Sequence, residues 1–151
     1  MPVKFFYPLT ALIFLHAVFM LFDVYSIPHL DSFMHLAGGA ALGMFVYGML
    51  AYAVSMRWCR DPGKPVTLIL VVSLVVSGAV CWEFYEWVSD RIFGTAMQLT
   101  LADTLKDLFL GLLGGVLYTG FVFTRRAAVD LSETTIDEVN AAESEVGDNR
   151  Y

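Results

Sequence analysis

The stretch VTLILVVSLVVSGAVCWEFYEWVSD, residues 66–90, joins a long apolar run to a cluster of acidic and aromatic residues. Residues 66–82 are rich in Val, Leu and Ile, and the apolar character continues as far as residue 88. A buried β-strand has a similar composition but is shorter, so the length of the run predicts a helix. A helix of about 20 mainly apolar residues can cross a bilayer, because its backbone polar groups bond within the segment. This stretch therefore predicts a membrane-spanning helix.

Three other apolar runs occupy residues 5–22, 33–56 and 108–123. The first is not followed by the small-x-small pattern at which signal peptides are cleaved, so we expect it to be retained. The predicted fold is therefore all-α: a polytopic membrane protein with a bundle of four transmembrane helices in residues 1–126. The composition agrees, because 58% hydrophobic and only 16% charged residues exclude an ordinary water-soluble enzyme.

The acidic residues that give the chain its net charge of −6 lie in its C-terminal tail. Residues 1–126 contain eight acidic and eight basic residues, whereas residues 127–151 contain seven acidic residues and Arg150. The tail has too little apolar content to fold alone, so we expect an acidic, disordered, cytoplasmic segment with room for a short helix. The acidic balance also excludes nucleic acid as a partner.

Basic residues are concentrated at one end of the predicted spans. Lys4, the loop 57–64 and residues 125–126 supply six of them, whereas the opposite end has only Arg91 and Lys106. Loops rich in Lys and Arg stay in the cytoplasm. The sequence therefore predicts a multi-pass protein of the cell inner (cytoplasmic) membrane with both termini in the cytoplasm.

With this topology, ionisable residues from three helices meet at the outer end of the bundle. They open the second helix, close the third and open the fourth: Asp31, His35, Glu83, Glu86, Asp103 and Asp107. Acids are favoured at a helix N-terminus, so capping alone is a sufficient explanation for Asp31 and Asp103. It does not explain Glu83 and Glu86, which oppose the dipole of their helix and lie near the apolar boundary, where ionised acids are costly and usually functional.

The polar pairs on the second and fourth helices are each followed by two glycines at the same spacing of four residues. The two series are Asp31, His35, Gly39, Gly43 and Asp103, Asp107, Gly111, Gly115. Residues four apart share a helix face, and small residues let membrane helices approach closely. We expect the two helices to pack on these faces, which would bring the polar pairs together.

Carboxylates combined with one imidazole suit a hard or borderline divalent cation such as Mg, Mn, Ca or Zn. We therefore predict a metal site formed by the six residues that meet at the outer end, with a divalent cation as the candidate cofactor. Protonation of the carboxylates is the alternative, because crowded, desolvated acids raise one another's pKa. The sequence names no catalytic residue.

Three further polar residues have other expected roles: Lys106 and Gln98 near this end, and His16 near the middle of the membrane. Successive residues on a helix are about 100° apart, so we expect Lys106 to point away from Asp107 and to reach the membrane interface. His16 is expected to bond a hydroxyl, with Ser73 or Ser77 as the partner. Gln98, in the loop 89–102, fits either a ligand or an ordinary loop residue.

The end of the third helix, the following loop and the start of the fourth helix also resemble a known family. Its features are WEFYEW at 82–87, Asp90, the FGT and MQ segments at 93–98, Asp103-Thr104 and Asp107 with a closing Gly-Gly. Together with the Asp-x-x-x-His of the second helix, they resemble the YjdF-like inner-membrane family and, more distantly, the VanZ-like group. The likeness covers about residues 20–120, and it implies a polytopic membrane protein whose biochemical role is not established.

Three functions stay open on this basis. The first is a multi-pass membrane protein whose outer-face carboxylate/histidine site binds a cation or an envelope-lipid headgroup. The second is a metal-dependent membrane enzyme that acts on a phosphorylated lipid, and the third is a proton-coupled transporter. Membrane lipids are the expected surroundings, an envelope lipid or another membrane protein is the candidate partner, and the oligomeric state is not indicated.

Overall fold

The structure, a computed structural model, describes residues 2–148, with side chains for residues 4–126. Residues 2–148 form helices and connecting turns and contain no strand, so the all-α prediction is confirmed. The four α-helices are α1 Tyr7–Leu21, α2 Leu30–Ser55, α3 Gly63–Phe93 and α4 Leu101–Asp148. Short 3-10 turns at Pro2–Phe5 and Val24–Ser26 precede and follow α1.

Three of the four helices are long and apolar enough to cross a membrane: α2, α3 and the Leu101–Arg126 part of α4. The run predicted as the first span forms a shorter apolar helix, because α1 contains only 15 residues. At 1.5 Å per residue it is about 22 Å long, less than the roughly 30 Å of a hydrocarbon core. A 3-10 turn and Pro8 mark its start, where proline is tolerated because the first N–H groups of a helix have no partner within it.

The ends of α3 and α4 follow from local sequence. Gly94 ends α3 with a φ of 67°, a left-handed conformation that glycine adopts without strain. Thr100 precedes α4, and its Oγ1 accepts a hydrogen bond of 3.1 Å from the N–H of Asp103. This bond is the N-terminal cap that the Thr-x-x-Asp pattern indicates. The short connection places the last turn of α3 beside the first turn of α4.

Several polar side chains are buried inside the bundle, and many large apolar side chains are exposed on its outside. The buried polar residues include glutamate, aspartate, histidine and threonine, whereas Ile69 and Phe84 on α3 are 64% and 63% exposed. The small apolar core consists of Val46, Val71 and Val75. Exposed apolar side chains of this size on every helix are stable only against lipid or another protein. The distribution is that of a membrane protein.

The glycine stripes of α2 and α4 pack against each other, as predicted. A Cβ atom at Gly39 would overlap the backbone carbonyl of Gly111, and a Cβ at Gly43 would lie 3.3 Å from the Cα of Gly115. A Cβ at Gly114 would overlap the carbonyl oxygen of Leu36. Because the register increases along both helices, α2 and α4 run parallel with their first turns side by side.

Helix α3 runs antiparallel to both of these helices. Its Ala79 Cβ would lie 3.4 Å from a Cβ at Gly111, and its Val75 side chain packs on Gly115. A Cβ at Gly78 would meet the side chain of Leu42 on α2. This arrangement brings the C-terminal half of α3 to the first turns of α2 and α4.

The chain divides into two compact units, Met1–Thr119 and Gly120–Tyr151. The first unit contains all six predicted site residues. Helix α4 begins earlier and ends later than the predicted run 108–123, and its backbone is helical as far as Asp148. The prediction of an acidic, disordered cytoplasmic tail at 127–151 stays a prediction, because side chains after Arg126 and residues 149–151 lie outside the described residues.

Candidate metal centre

His35, one turn into α2, has carboxylates on both of its ring nitrogens. Its Nε2 lies 3.5 Å from Asp31 Oδ1, 3.8 Å from Glu86 Oε1 and 4.0 Å from Asp107 Oδ2. On the opposite side of the ring, Nδ1 lies 3.9 Å from Glu83 Oε1. Three helices therefore deliver carboxylate oxygens to a single imidazole.

Most of this cluster is buried. His35 is 8% exposed, and Glu83, Glu86 and Asp107 are 6%, 5% and 2% exposed. Asp31 is half-buried at the edge of the group. Carboxylates removed from water cost several kcal/mol each when ionised and uncompensated, so an arrangement of this kind requires a positive partner or bound protons.

Three buried atoms of the cluster have no hydrogen-bond partner among the described residues: His35 Nε2, Glu83 Oε1 and Asp107 Oδ1. Such atoms are rare, because more than nine in ten buried polar groups in proteins are hydrogen-bonded. Here all three belong to one group of side chains. Asp107 Oδ1 also lies 3.5 Å from Lys106 Nζ. Glu83 Oε1, and His35 Nε2 in the tautomer that carries no proton there, offer lone pairs to a bound ligand.

The spacing of these atoms suits a metal ion. Ligand atoms lie within 4.8 Å of one another in three overlapping sets: Asp31 with His35 and Glu86, His35 with Glu83 and Asp107, and Asp31 with Asp103 and Asp107. Oxygen and nitrogen ligands lie about 2.0–2.6 Å from a divalent cation, so atoms around one ion are about 3–5 Å apart. All six predicted residues belong to at least one set.

A family model described as "Predicted membrane protein (DUF2238)" matches residues 2–128, which include α1, α2, α3, the first part of α4 and all six residues of the cluster. The chain belongs to this family. No curated protein and no solved structure matches the chain. Membership in DUF2238 agrees with the apolar exterior of the helices, and it assigns no reaction.

Lys106 of this DUF2238 protein contacts the cluster, so the prediction that it points away was wrong. Its Nζ donates a hydrogen bond of 2.6 Å to Asp103 Oδ1 and lies 3.5 Å from Asp107 Oδ1. The helical angle between residues 106 and 107 sets the direction in which each side chain leaves the backbone, but it does not set the position of the Lys106 ammonium group. The long side chain turns back over the preceding turn of α4 and reaches Asp103. Asp103 is therefore paired with Lys106 at the rim of the cluster.

Two hydrogen bonds orient the glutamates of α3. Trp82 Nε1 donates to Glu86 Oε1 at 2.8 Å, and Gln98 Nε2 donates to Glu83 Oε2 at 3.3 Å. Sequence reasoning missed the role of Trp82, although its spacing of four residues from Glu86 places both on one helix face. Gln98 is here a partner of Glu83.

Asp90 organises the loop that carries Gln98. Its carboxylate accepts hydrogen bonds from Thr95 Oγ1 at 2.6 Å and from the backbone N–H groups of Met97 and Gln98, each at 2.9 Å. Asp90 is therefore turned toward the loop, and it belongs to none of the sets of potential metal ligands. Its carboxylate fixes the chain that leads from α3 to α4.

His16 bonds a hydroxyl, but the predicted serine partners were wrong. Its Nδ1 lies 2.6 Å from the hydroxyl of Tyr25, and its Nε2 lies 3.5 Å from that of Tyr85. Ser77 instead donates to the backbone carbonyl of Ser73, four residues earlier on its own helix. Burial raises the pKa of the Tyr25 phenol above its ordinary value, so this hydroxyl stays protonated.

A cavity of about 350 Å³ lies beside the cluster. Its lining includes Asp31, Glu86 and Asp103 from the cluster, together with the loop residues Thr95 and Met97. We call it the mouth cavity. Its volume is within the range of about 300–1,000 Å³ that is usual for small-molecule sites, so it gives a ligand room to reach the carboxylates.

Proposed function

We propose that this protein binds a divalent cation through His35 Nε2 and the carboxylates of Asp31, Glu86 and Asp107. The observation that carries the proposal is the convergence of three carboxylate oxygens on one buried imidazole nitrogen that has no hydrogen-bond partner among the described residues. Separations of 3.5–4.0 Å exceed hydrogen-bond length but match ligand atoms that share an ion.

Glu83 and Asp103 have supporting roles in this proposal. Glu83 faces the Nδ1 of His35, the position from which a carboxylate fixes the ring orientation of metal-binding histidines. Asp103 lies at the rim, where Lys106 already neutralises it. Asp31, Glu86 and Asp107 would therefore form the inner ligand set with His35, and two of them, Asp31 and Glu86, line the mouth cavity.

Charge also favours a cation. The five carboxylates and Lys106 give the cluster a formal charge of −4, and a divalent cation reduces it to −2. With an ion bound, several carboxylates can stay ionised in a buried position, because the ion replaces part of their lost hydration. Protonation of a carboxylate or of the His35 imidazole also lowers the negative charge, and the metal titration distinguishes this alternative from a bound ion.

The experiment is metal analysis of detergent-purified protein. After chelation and removal of the chelator, Mn²⁺ is titrated by calorimetry, and bound metal is counted by elemental analysis. We expect one ion per chain for the wild type and at least a tenfold loss of affinity for Asp107→Asn, which removes one ligand charge with little change of shape.

The matched control is Asp61→Asn in the loop before α3. Asp61 Oδ1 accepts a hydrogen bond from the N–H of Gly63, and the oxygen of an asparagine side chain can accept the same bond. This variant should bind Mn²⁺ as the wild type does. Near-zero metal in the wild type after titration with Mn²⁺, Zn²⁺, Mg²⁺ and Ca²⁺ would contradict the proposal, and so would equal affinities in the two variants.

The location of the site is part of the proposal. The excess of Lys and Arg near Lys4, in the loop 57–64 and at 125–126 supports a cell inner (cytoplasmic) membrane protein with both termini in the cytoplasm. The cluster would then face the outer side. The resemblances to the YjdF-like family and the VanZ-like group are also part of the proposal, whereas membership in DUF2238 is shown by the family model.

The other two functions remain hypotheses. A metal-dependent enzyme acting on a phosphorylated lipid would use the same ion to polarise a phosphoryl oxygen, and the mouth cavity gives such a substrate room. A proton-coupled transporter receives less support, because the apolar core of Val46, Val71 and Val75 lies between the cluster and the other end of the bundle.

A further inference from the structure

A second cavity, of about 260 Å³, lies between α1, α2 and α3. We call it the apolar cavity, because hydrocarbon side chains and glycine backbone form most of its wall: Leu9, Leu12, Met34, Leu42, Gly38 and Gly78. Asp31 and His35 lie at one end of it. The cavity therefore extends from the candidate metal centre toward the middle of the bundle.

The apolar cavity adjoins the mouth cavity, because Tyr25 and Asp31 line both. One chamber is apolar, and the other is lined by several acids. A molecule that fills both must have a hydrocarbon part and a polar part. Membrane lipids have this composition, and they surround the protein at high local concentration.

The apolar walls favour a hydrocarbon occupant. Atoms that line an empty cavity lose dispersion contacts, and engineered apolar cavities of only about 150 Å³ already take up benzene. The apolar cavity is larger than this, at about 260 Å³. One hydrocarbon chain of a lipid can replace the missing contacts without bringing a polar atom into the interior.

The chemistry of the headgroup follows from the mouth cavity. Its lining contains Asp23, Asp31, Glu86 and Asp103, with His16 as the basic side chain, and neither lysine nor arginine is among the described residues that line it. Bare carboxylates repel an anion, whereas a divalent cation held by the same carboxylates attracts one. Hard cations complete their coordination with oxygen, and phosphate oxygens are the anionic ligands that lipids carry.

We propose that the two cavities together bind a phosphate-bearing membrane lipid. One hydrocarbon chain occupies the apolar cavity, and phosphate oxygens coordinate the cation held by the His35 cluster, a part of the inference that rests on the proposed function. Binding of the hydrocarbon chain does not depend on the metal, whereas binding of the phosphate does. Binding of the whole lipid is therefore strongest when the cation is present.

Glycine substitutions offer a matched test of the chain position. A Cβ atom at Gly38 meets no other atom within 4 Å, and Gly38 lines the apolar cavity. The change Gly38→Leu therefore fills the cavity without displacing backbone. Gly120 on α4 has the same open surroundings but lines neither cavity, so Gly120→Leu is the control.

The measurement is native mass spectrometry of delipidated protein in detergent with added dimyristoyl phosphatidic acid, with Mn²⁺ or with EDTA. We expect one bound lipid per chain for the wild type and for Gly120→Leu, and at least fivefold less for Gly38→Leu. Replacing EDTA by Mn²⁺ should raise binding to the wild type at least threefold. Dimyristoyl glycerol, which lacks the phosphate, should bind equally with Mn²⁺ and with EDTA, and inorganic phosphate alone should bind only weakly.

Two outcomes overturn the inference. Equal lipid binding by Gly38→Leu and Gly120→Leu would show that the hydrocarbon chain does not occupy the apolar cavity. Stronger binding in EDTA than in Mn²⁺ would show that the carboxylates bind a cationic headgroup and not a phosphate. Calorimetry with Mn²⁺ separates these failures from failure of the metal site, because Gly38→Leu leaves all the ligands in place and should keep wild-type affinity for the ion.

Discussion

Trp82 connects the aromatic part of the α3 signature to the candidate ligands. Its indole N–H donates to Glu86 Oε1, the same oxygen that faces His35 Nε2 at 3.8 Å. A donor in this position fixes the carboxylate orientation before any ion arrives. Groups that orient metal ligands in this way typically change metal affinity about 10- to 100-fold when they are removed.

We therefore expect Trp82→Phe to weaken Mn²⁺ binding about tenfold, because the variant keeps an aromatic ring but loses the N–H donor. Calorimetry measures the affinity, and circular dichroism checks that the helix content is unchanged. Trp87→Phe on the same helix is the control, since Trp87 is 46% exposed and stacks with Arg91. Equal affinities in the two variants would contradict the orienting role.

The sequence was sufficient to predict which residues form the cluster, but it was not sufficient to predict their detailed side-chain contacts. A spacing of four residues places Asp31 and His35 on one face of α2, and it places Asp103 and Asp107 on one face of α4. Helical periodicity therefore predicts both pairs. The bend of Lys106 back to Asp103 depends on side-chain torsions. The bond between His16 and Tyr25 depends on how the short α1 and its following turn meet, which a single sequence does not encode locally.

Backbone contact between α2 and α4 holds the candidate ligands together at the scale of elements. Gly38 and Gly39 are neighbours on α2, yet a Cβ at Gly39 would overlap the carbonyl of Gly111, whereas one at Gly38 would meet nothing within 4 Å. The two positions therefore separate the effect of close packing from the general effect of replacing glycine in a helix.

We expect Gly39→Ala to lower the free energy of unfolding by about 2 kcal/mol or more, because overpacking a tight contact costs about 1–3 kcal/mol. Gly38→Ala should be neutral or stabilising by up to about 1 kcal/mol, since alanine is the better helix former. Thermal unfolding of both variants in the same detergent measures the difference. Similar melting temperatures would show that the helices do not meet at Gly39.

The element pattern was largely predictable from the apolar runs. The runs 33–56 and 66–88 correspond to α2 and α3, with boundaries displaced by a few residues. The run 5–22 formed a shorter helix, because the residues at its two ends adopt turns. Helix α4 begins at Leu101, earlier than its apolar run, because the Thr100 cap makes the polar LADTLKD segment its first turns.

At the scale of the whole molecule, the described side chains differ from those of a water-soluble protein, because many large apolar ones are exposed and several charged ones are buried. Val71, Val75 and Thr119 are fully buried, while large aromatic and aliphatic side chains face outward. Hydrophobic composition predicted this arrangement, but it does not distinguish one orientation in the membrane from the other. Orientation depends on the distribution of Lys and Arg, and it is therefore open to a direct test.

We expect Cys59 to be protected from a membrane-impermeant maleimide in intact cells, because its basic loop is predicted to be cytoplasmic. The background is Cys81→Ser, which leaves the exposed Cys59 as the target. A second variant without native cysteines carries Ser26→Cys in the exposed turn after α1 and should be labelled without permeabilisation. The opposite labelling pattern would reverse the proposed orientation.

The backbones of α2 and α4 meet directly at Gly39 and Gly111, and this contact limits how far the candidate ligands on the two helices can move apart. Asp31, His35 and Asp107 are carried by two helices that no compressible side chain separates at this contact, so their spacing is nearly rigid. Glu86 approaches from α3 on a longer side chain with more rotatable bonds. We therefore expect discrimination between small and large ions to depend on the reach of this one glutamate.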